Sequence, residues 1–342
     1  MIRRAFIPGV SGPQLAAAAR HFIRTARPWG FILFKRNVQT PAQVAALVRE
    51  LRDVAEAEDA PVLIDQEGGR VQRLGPPHWP VYPPGAVFGR LYDIDSALGL
   101  EAARLSARLI ADDLNQLGIT VDCLPLADVP VAGADAVIGD RAYGTDPAKV
   151  AGIARAVTDG LEQGGILPVL KHIPGHGRAT ADTHLALPTV DTPESELDAT
   201  DFAAFRPLAD LPMAMTAHVV FSAIDGAHPA TTSATMIERV IRGRIGFQGL
   251  LMSDDVSMNA LAGSIAERTR AIIAAGCDVV LHCNGKLNEM EAVAAETPEL
   301  AGKALERAER ALAARKAPRA FDRAAARADL DALINRLGPA IA

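Results

Sequence analysis

The stretch "LPVLKHIPGHG", Leu167 to Gly177, decides how the chain is organised. It opens as a short apolar run after Gly164-Gly165, ends in Lys171 and His172, and is broken at once by Pro174 and Gly175. A run of that length reads as a strand buried on both faces, with a polar tip. The same pattern recurs outward in both directions: "GFILF" (Gly30 to Phe34), "PVLID" (Pro61 to Asp65), "ITVDCLP" (Ile119 to Pro125), "MAMTAHV" (Met213 to Val219), "GLLMSDD" (Gly249 to Asp255) and "CDVVLHCN" (Cys277 to Asn284). An early strand near Ala5 to Pro8 makes eight. Ala-, Leu- and Arg-rich segments of helical period fill the gaps, including Pro41 to Glu58, Ala97 to Leu117 and Lys149 to Gln163. Alternation of this kind predicts an α/β fold, a single (β/α)8 barrel over residues 1–299. The tail from Leu300 to Leu337 also reads as helix, so residues 300–342 are expected to form a helical extension packed on the barrel.

Composition narrows the function classes. A chain of 342 residues, 49% hydrophobic and 22% charged, has ample material for one large core. A formal charge of -6 and an aromatic content of 4% favour neither nucleic acid nor an anionic membrane surface as partner. No uncharged apolar run approaches the roughly 18 residues needed to span a bilayer. Pro8, Gly9, Gly12 and Pro13 interrupt the apolar stretch after Arg3 and Arg4, so no secretory leader is expected there. Cys123, Cys277 and Cys283 show no CxxC spacing, which fits a reducing compartment, and a cytoplasmic monomer is expected.

Strand after strand ends in a reactive group: Asp65, Asp122, Lys171 with His172, His218, Asp254 and Asn284. Loops begin where strands end and are polar as a rule. Several of these groups, however, fall inside the apolar run, and in a parallel barrel such ends converge on one site at the C-terminal face. The histidine-rich segment after Leu170 admits a metal reading, with His172, His176 and Asp182 as ligands. Pro174 and Gly175 prevent the helix that would put both imidazoles on one face, so metal-assisted hydrolysis is the lesser alternative and no metal or cofactor is expected.

"KHIPGHGRATADTH" (Lys171 to His184) closely resembles the KHFPGHG...DSH signature of glycoside hydrolase family 3, in particular its bacterial β-N-acetylglucosaminidases of peptidoglycan recycling. Three further stretches agree in the same order: "IDQEGGRVQR" (Ile64 to Arg73), "GDRAYG" (Gly139 to Gly144) and "FQGLLMSDDVSM" (Phe247 to Met258). Ile173, Thr183, Asp140 and Val256 replace the usual Phe, Ser, Asn and Leu without removing a reactive group. The resemblance implies a retaining exo-β-N-acetylglucosaminidase that releases N-acetylglucosamine from anhydromuropeptides, a small carbohydrate substrate. It makes Asp254 the nucleophile, because a carboxylate attacking the anomeric carbon yields a covalent glycosyl-enzyme that water then hydrolyses. Asp255 is the rival, and strand parity, which points neighbours to opposite faces, does not choose between them. By the same resemblance His184 is the general acid/base with Asp182 orienting its ring, and Asp65, Arg73, Arg141, Lys171 and His172 hold the sugar. Glu67 and Arg70 are either part of that set or braces for the loop around Gly68 and Gly69. Two rivals stay open: a β-glycoside phosphorylase of the same family, and a non-catalytic protein that binds cell-wall sugars.

Overall fold

Eight short strands pair side by side in a computed structural model that describes residues 3–179 and 186–338. They are β1 (Phe6–Pro8), β2 (Phe31–Leu33), β3 (Val62–Ile64), β4 (Val121–Asp122), β5 (Leu167–Ile173), β6 (Met213–Thr216), β7 (Leu250–Asp255) and β8 (Val279–His282). All pairings are parallel and run β1-β8-β7-β6-β5-β4-β3-β2. Bridges from Arg4 to Pro28 and from Gly9 to Ile32 bring β1 back against β2 and close the cylinder. The expected barrel is therefore observed.

The alternation along each strand explains why these runs look uniformly apolar. Ile7, Ile32, Leu63, Val121, Val169, Met213, Met252 and Val279 fill the interior. Their neighbours Phe6, Phe31, Val62, Leu170, Ala214, Leu251 and Val280 belong to the outer cluster shared with the helices. Both faces are covered, which leaves no polar face to betray the period. Local chemistry starts the helices: Thr40 Oγ accepts the Gln43 amide at the head of Pro41–Ala55, and Asp146 does the same for Lys149 at the head of Pro147–Gln163. Ser264 and Glu267 form a capping box for Ile265–Ala275.

The tail forms two helices, Gly302–Ala313 and Arg323–Ile334, with Pro318 in the break between them. Leu300, Ala308 and Ala311 pack with the interior residues Ala5, Trp29 and Leu167, so the first helix caps the N-terminal end of the barrel. The second is pinned by Arg323, which donates to Asp112 at 2.7 Å and Asp113 at 2.6 Å. No helix among the described residues is long and apolar enough to cross a membrane.

Two irregularities lie at the opposite end. On β5, Leu170 and Ile173 pair with Ala214 and Thr216, so three steps are matched against two. On β7, Met252 and Asp255 pair with Val279 and Leu281 in the same way. Each strand accommodates one extra residue, a β-bulge that re-aims the side chains beside it.

Candidate active site

The bulges decide what faces the cleft at the C-terminal end of the barrel. Lys171 and His172, adjacent on β5, both line it, as do Asp254 and Asp255 on β7. Strict alternation would have turned one of each pair away. The cleft has a volume of about 290 Å³.

Its floor is a chain of ion pairs. Lys171, only 2% exposed, donates to Asp65 at 2.9 Å and lies 2.6 Å from Glu67. Arg73 donates to the other oxygen of Asp65 at 3.1 Å, and Arg141 forks onto Glu67 with both bonds at 2.8 Å. Burial pushes the Glu67 carboxyl up, but Arg141 and Lys171 overcome this and bring it down to about 2. Burial likewise opposes ionisation of Asp65, and Lys171 and Arg73 again prevail, holding it below the usual carboxylate range. Lys171 is driven upward because its two carboxylates outweigh its own burial. Three cations against two anions leave the floor with a net positive charge, which only bound or facing anions can neutralise.

Above it, Asp254 is half-buried, and its Oδ1 accepts the Asp255 amide at 2.7 Å. Burial raises this carboxyl; His218, His172, the Asp255 amide and Lys171 together more than offset that, so Asp254 is a carboxylate at neutral pH. Asp255 is otherwise engaged. Its oxygens accept Ser257 N at 3.0 Å, Ser257 Oγ at 2.6 Å and Cys283 N at 3.0 Å, making it a brace between the ends of β7 and β8.

His172 Nδ1 lies 2.7 Å from Asp128 Oδ2, and the Asp128 Oδ1 accepts the His176 amide at 2.7 Å. Asp128 is fully buried; burial raises it, but His172 above all brings it down to about 2. Its carboxylate thus orients one imidazole and folds the PGHG turn beneath it. The turn also needs Gly177, where a Cβ would come 2.1 Å from the Val129 carbonyl oxygen. His176 is buried, its Nδ1 has no hydrogen-bond partner among the described residues, and burial together with neighbouring His172 lowers it to about 4. It is a neutral wall rather than a cation.

Of the residues anticipated from sequence, Asp65, Arg73, Arg141, Lys171, His172 and Asp254 come together around this cleft. His184 and Asp182 lie outside the described residues. Asp122 follows the inward Val121, points away, and accepts the Gln66 amide at 3.0 Å. His218 is fully buried and does not line the cleft, and Asn284 donates to Glu289 at 2.6 Å. Arg70 bonds Asp140 at 3.2 Å and the carbonyls of Ala136 and Val137, bracing the loop that carries Arg141. Glu67 proves a hub of the floor. Asp128 has no part in the sequence pattern that marks the other site residues; an acid inside the apolar run "LPLADVPV" is its one signal. Among the described residues, no group of three His, Cys, Asp or Glu side chains is arranged to hold a metal ion.

Comparison with known proteins gives the family. The family model described as the glycosyl hydrolase family 3 N terminal domain matches residues 10–313. A beta-hexosaminidase from Alkalilimnicola ehrlichii is 39% identical over 291 residues, covering 83% of this chain and 82% of the relative. Another from Methylococcus capsulatus is 38% identical over 277 residues, 80% of each. The crystal structure of NagZ from Neisseria gonorrhoeae in complex with N-trifluoroacetyl-D-glucosamine superposes with a TM-score of 0.85 at 30% identity, covering 98% of both chains. A barrel with this cleft, matched by the family model over most of its length, belongs to glycosyl hydrolase family 3.

Proposed function

We propose that the protein is a retaining exo-β-N-acetylglucosaminidase acting on peptidoglycan-derived fragments, with Asp254 as nucleophile. The observation that carries this reading is the contrast between two adjacent carboxylates: Asp255 is tied to Ser257 and Cys283, whereas Asp254 faces the cleft with one oxygen on a backbone amide. A nucleophile must be ionised and unencumbered. The sugar fits the floor by chemistry. Asp65 accepts from ring hydroxyls, while Lys171, Arg73 and Arg141 donate to them, and bonds that tighten as the ring flattens speed the reaction.

Small-molecule sites usually run to about 300–1,000 Å³. A cleft of about 290 Å³, just under that range, suits one sugar ring with the rest of the substrate outside, hence exo action. Specificity for a 2-acetamido sugar is supported by the beta-hexosaminidase relatives and by the N-trifluoroacetyl-D-glucosamine held by the neighbouring structure. The acid/base role belongs, on sequence resemblance, to His184 with Asp182: imidazole protonates the departing oxygen and then deprotonates the attacking water, and the carboxylate orients it. A cytoplasmic, monomeric enzyme completes the proposal.

The test is hydrolysis of aryl β-glycosides that differ only at the 2-position, with and without phosphate, followed by proton NMR. The proposal expects preference for the 2-acetamido substrate, the β-anomer released first, and free sugar with phosphate present. Release of the α-anomer would contradict double displacement. Formation of sugar 1-phosphate would favour the phosphorylase, and no turnover of any substrate would favour a sugar-binding protein.

A further inference from the structure

His218 lies just beyond β6, fully buried and outside the cleft. Its Nε2 is 3.0 Å from the Asp255 carbonyl oxygen and its Nδ1 is 2.8 Å from Thr231 Oγ1. The Thr231 hydroxyl also lies 2.8 Å from Thr216 Oγ1 and donates to the Ala217 carbonyl at 3.0 Å. These contacts constrain the protons. A carbonyl only accepts, so Nε2 carries a hydrogen. Thr231 owns one hydrogen, and if it goes to Ala217 the hydroxyl oxygen must accept from both Thr216 and Nδ1. The alternative, with Thr231 donating to a bare Nδ1, takes the hydroxyl proton away from the buried Ala217 carbonyl. Only a ring protonated on both nitrogens fills every contact.

We infer that His218 is the positioning cation of the nucleophile, an imidazolium that clamps the Asp255 carbonyl, next in sequence to Asp254. The clamp is mechanical as well as electrostatic. Residue 255 is held at its carbonyl by His218, its amide bonds Asp254 at 2.7 Å, and its carboxylate is tied to Ser257 and Cys283. The other described groups that act on Asp254 are Lys171 and His172 from β5, His176 from the turn after it, and Cys283 after β8. Burial weighs against the Asp254 carboxylate, and among the charges His218 opposes that most strongly. A fixed cation there stabilises free carboxylate over ester. It therefore assists the second step, in which Asp254 leaves the sugar, more than the first. His218 acts through Asp254 and Asp255 without touching substrate.

Two variants and one spectrum test this. His218→Gln keeps an N–H for the Asp255 carbonyl without the charge, and Thr231→Val removes the hydroxyl behind the ring. With an activated aryl substrate, both should move the acid limb of kcat/KM upward by on the order of one pH unit, the usual effect of losing one nearby opposite charge. Both should also lower kcat more than kcat/KM as glycosyl-enzyme accumulates. Limbs and kcat unmoved from wild type would overturn the inference. Nitrogen-15 NMR of the wild-type protein, with the His218 signal assigned by its loss in His218→Gln or by sequential assignment, should show two similar, protonated ring nitrogens at neutral pH. A bare Nδ1 would overturn the inference even if neither variant folds. The inference rests on Asp254 as nucleophile, but the spectrum reads the resting protein without turnover, so its failure is separable from failure of that assignment.

Discussion

Replacing Glu67 by glutamine removes one charge from the floor while keeping the side chain's shape. Of its carboxylate partners among the described residues Lys171 would keep Asp65, and Arg141 would lose its fork and retain the Val137 carbonyl at 3.2 Å. Breaking one partner out of a buried pair costs about 3–5 kcal/mol, and the amide's remaining acceptor puts this case near the lower figure. Linkage gives a similar answer. Glu67 is brought from 4.5 to about 2 on folding, and at about 1.4 kcal/mol per pH unit that difference is worth about 3 kcal/mol at neutral pH. With about 2.1 cal/mol/K of unfolding entropy per residue over 342 residues, Glu67→Gln should lower Tm by about 4 °C. The sign with pH comes from the depressed value. The contribution is complete above the unfolded value of 4.5 and is lost as pH falls through the folded value of about 2, so the gap between variant and wild type should narrow across that window. Thermal and urea unfolding from neutral to acid pH make the measurement. A variant as stable as wild type at pH 7, or a gap that does not change on acidification, would show that Glu67 does not hold the floor together.

Other consequences are as specific. His184→Ala should lose on the order of 10²- to 10⁴-fold on a disaccharide, whose leaving group needs a proton, and much less in the glycosylation step of a nitrophenyl substrate; azide should rescue turnover, and equal losses on both without rescue would remove His184 from the acid/base role. Asp128→Asn keeps the volume but not the charge that orients His172, so affinity for N-acetylglucosamine, measured as a competitive inhibition constant, should weaken about tenfold, in line with one charge-assisted hydrogen bond. Unchanged affinity would show that His172 needs no such anchor. Exhaustive chelation should leave activity intact, and loss restored by added Zn²⁺ would promote a metal mechanism.

The barrel was legible because parallel strands buried on both faces become apolar runs, and because Thr40, Asp146 and Ser264 with Glu267 mark helix starts chemically. The bulges were not. A bulge is a relation between two strands, so nothing within "VLKHI" or "LMSDD" announces that adjacent residues will face the same cleft. Parity accordingly leaves Asp254 and Asp255 undecided from sequence; in the structure they differ in that Asp255 is tied to Ser257 and Cys283. Asp128 escaped notice because it comes after a strand of only two residues, in a segment broken by Pro125 and Pro130. The tail read as one helical stretch, and Pro318 divides it. His184 and Asp182 were reached through resemblance alone.

The central claim is a covalent bond between the sugar and Asp254. A fluorinated N-acetylglucosaminyl donor that forms the glycosyl-enzyme faster than water releases it should trap that bond, and proteolysis with mass spectrometry then locates it. One added sugar is expected on the peptide containing Asp254, with fragmentation assigning it to Asp254 and no label in Asp254→Asn. A label on Asp255, or full turnover of the donor by Asp254→Asn, would contradict it.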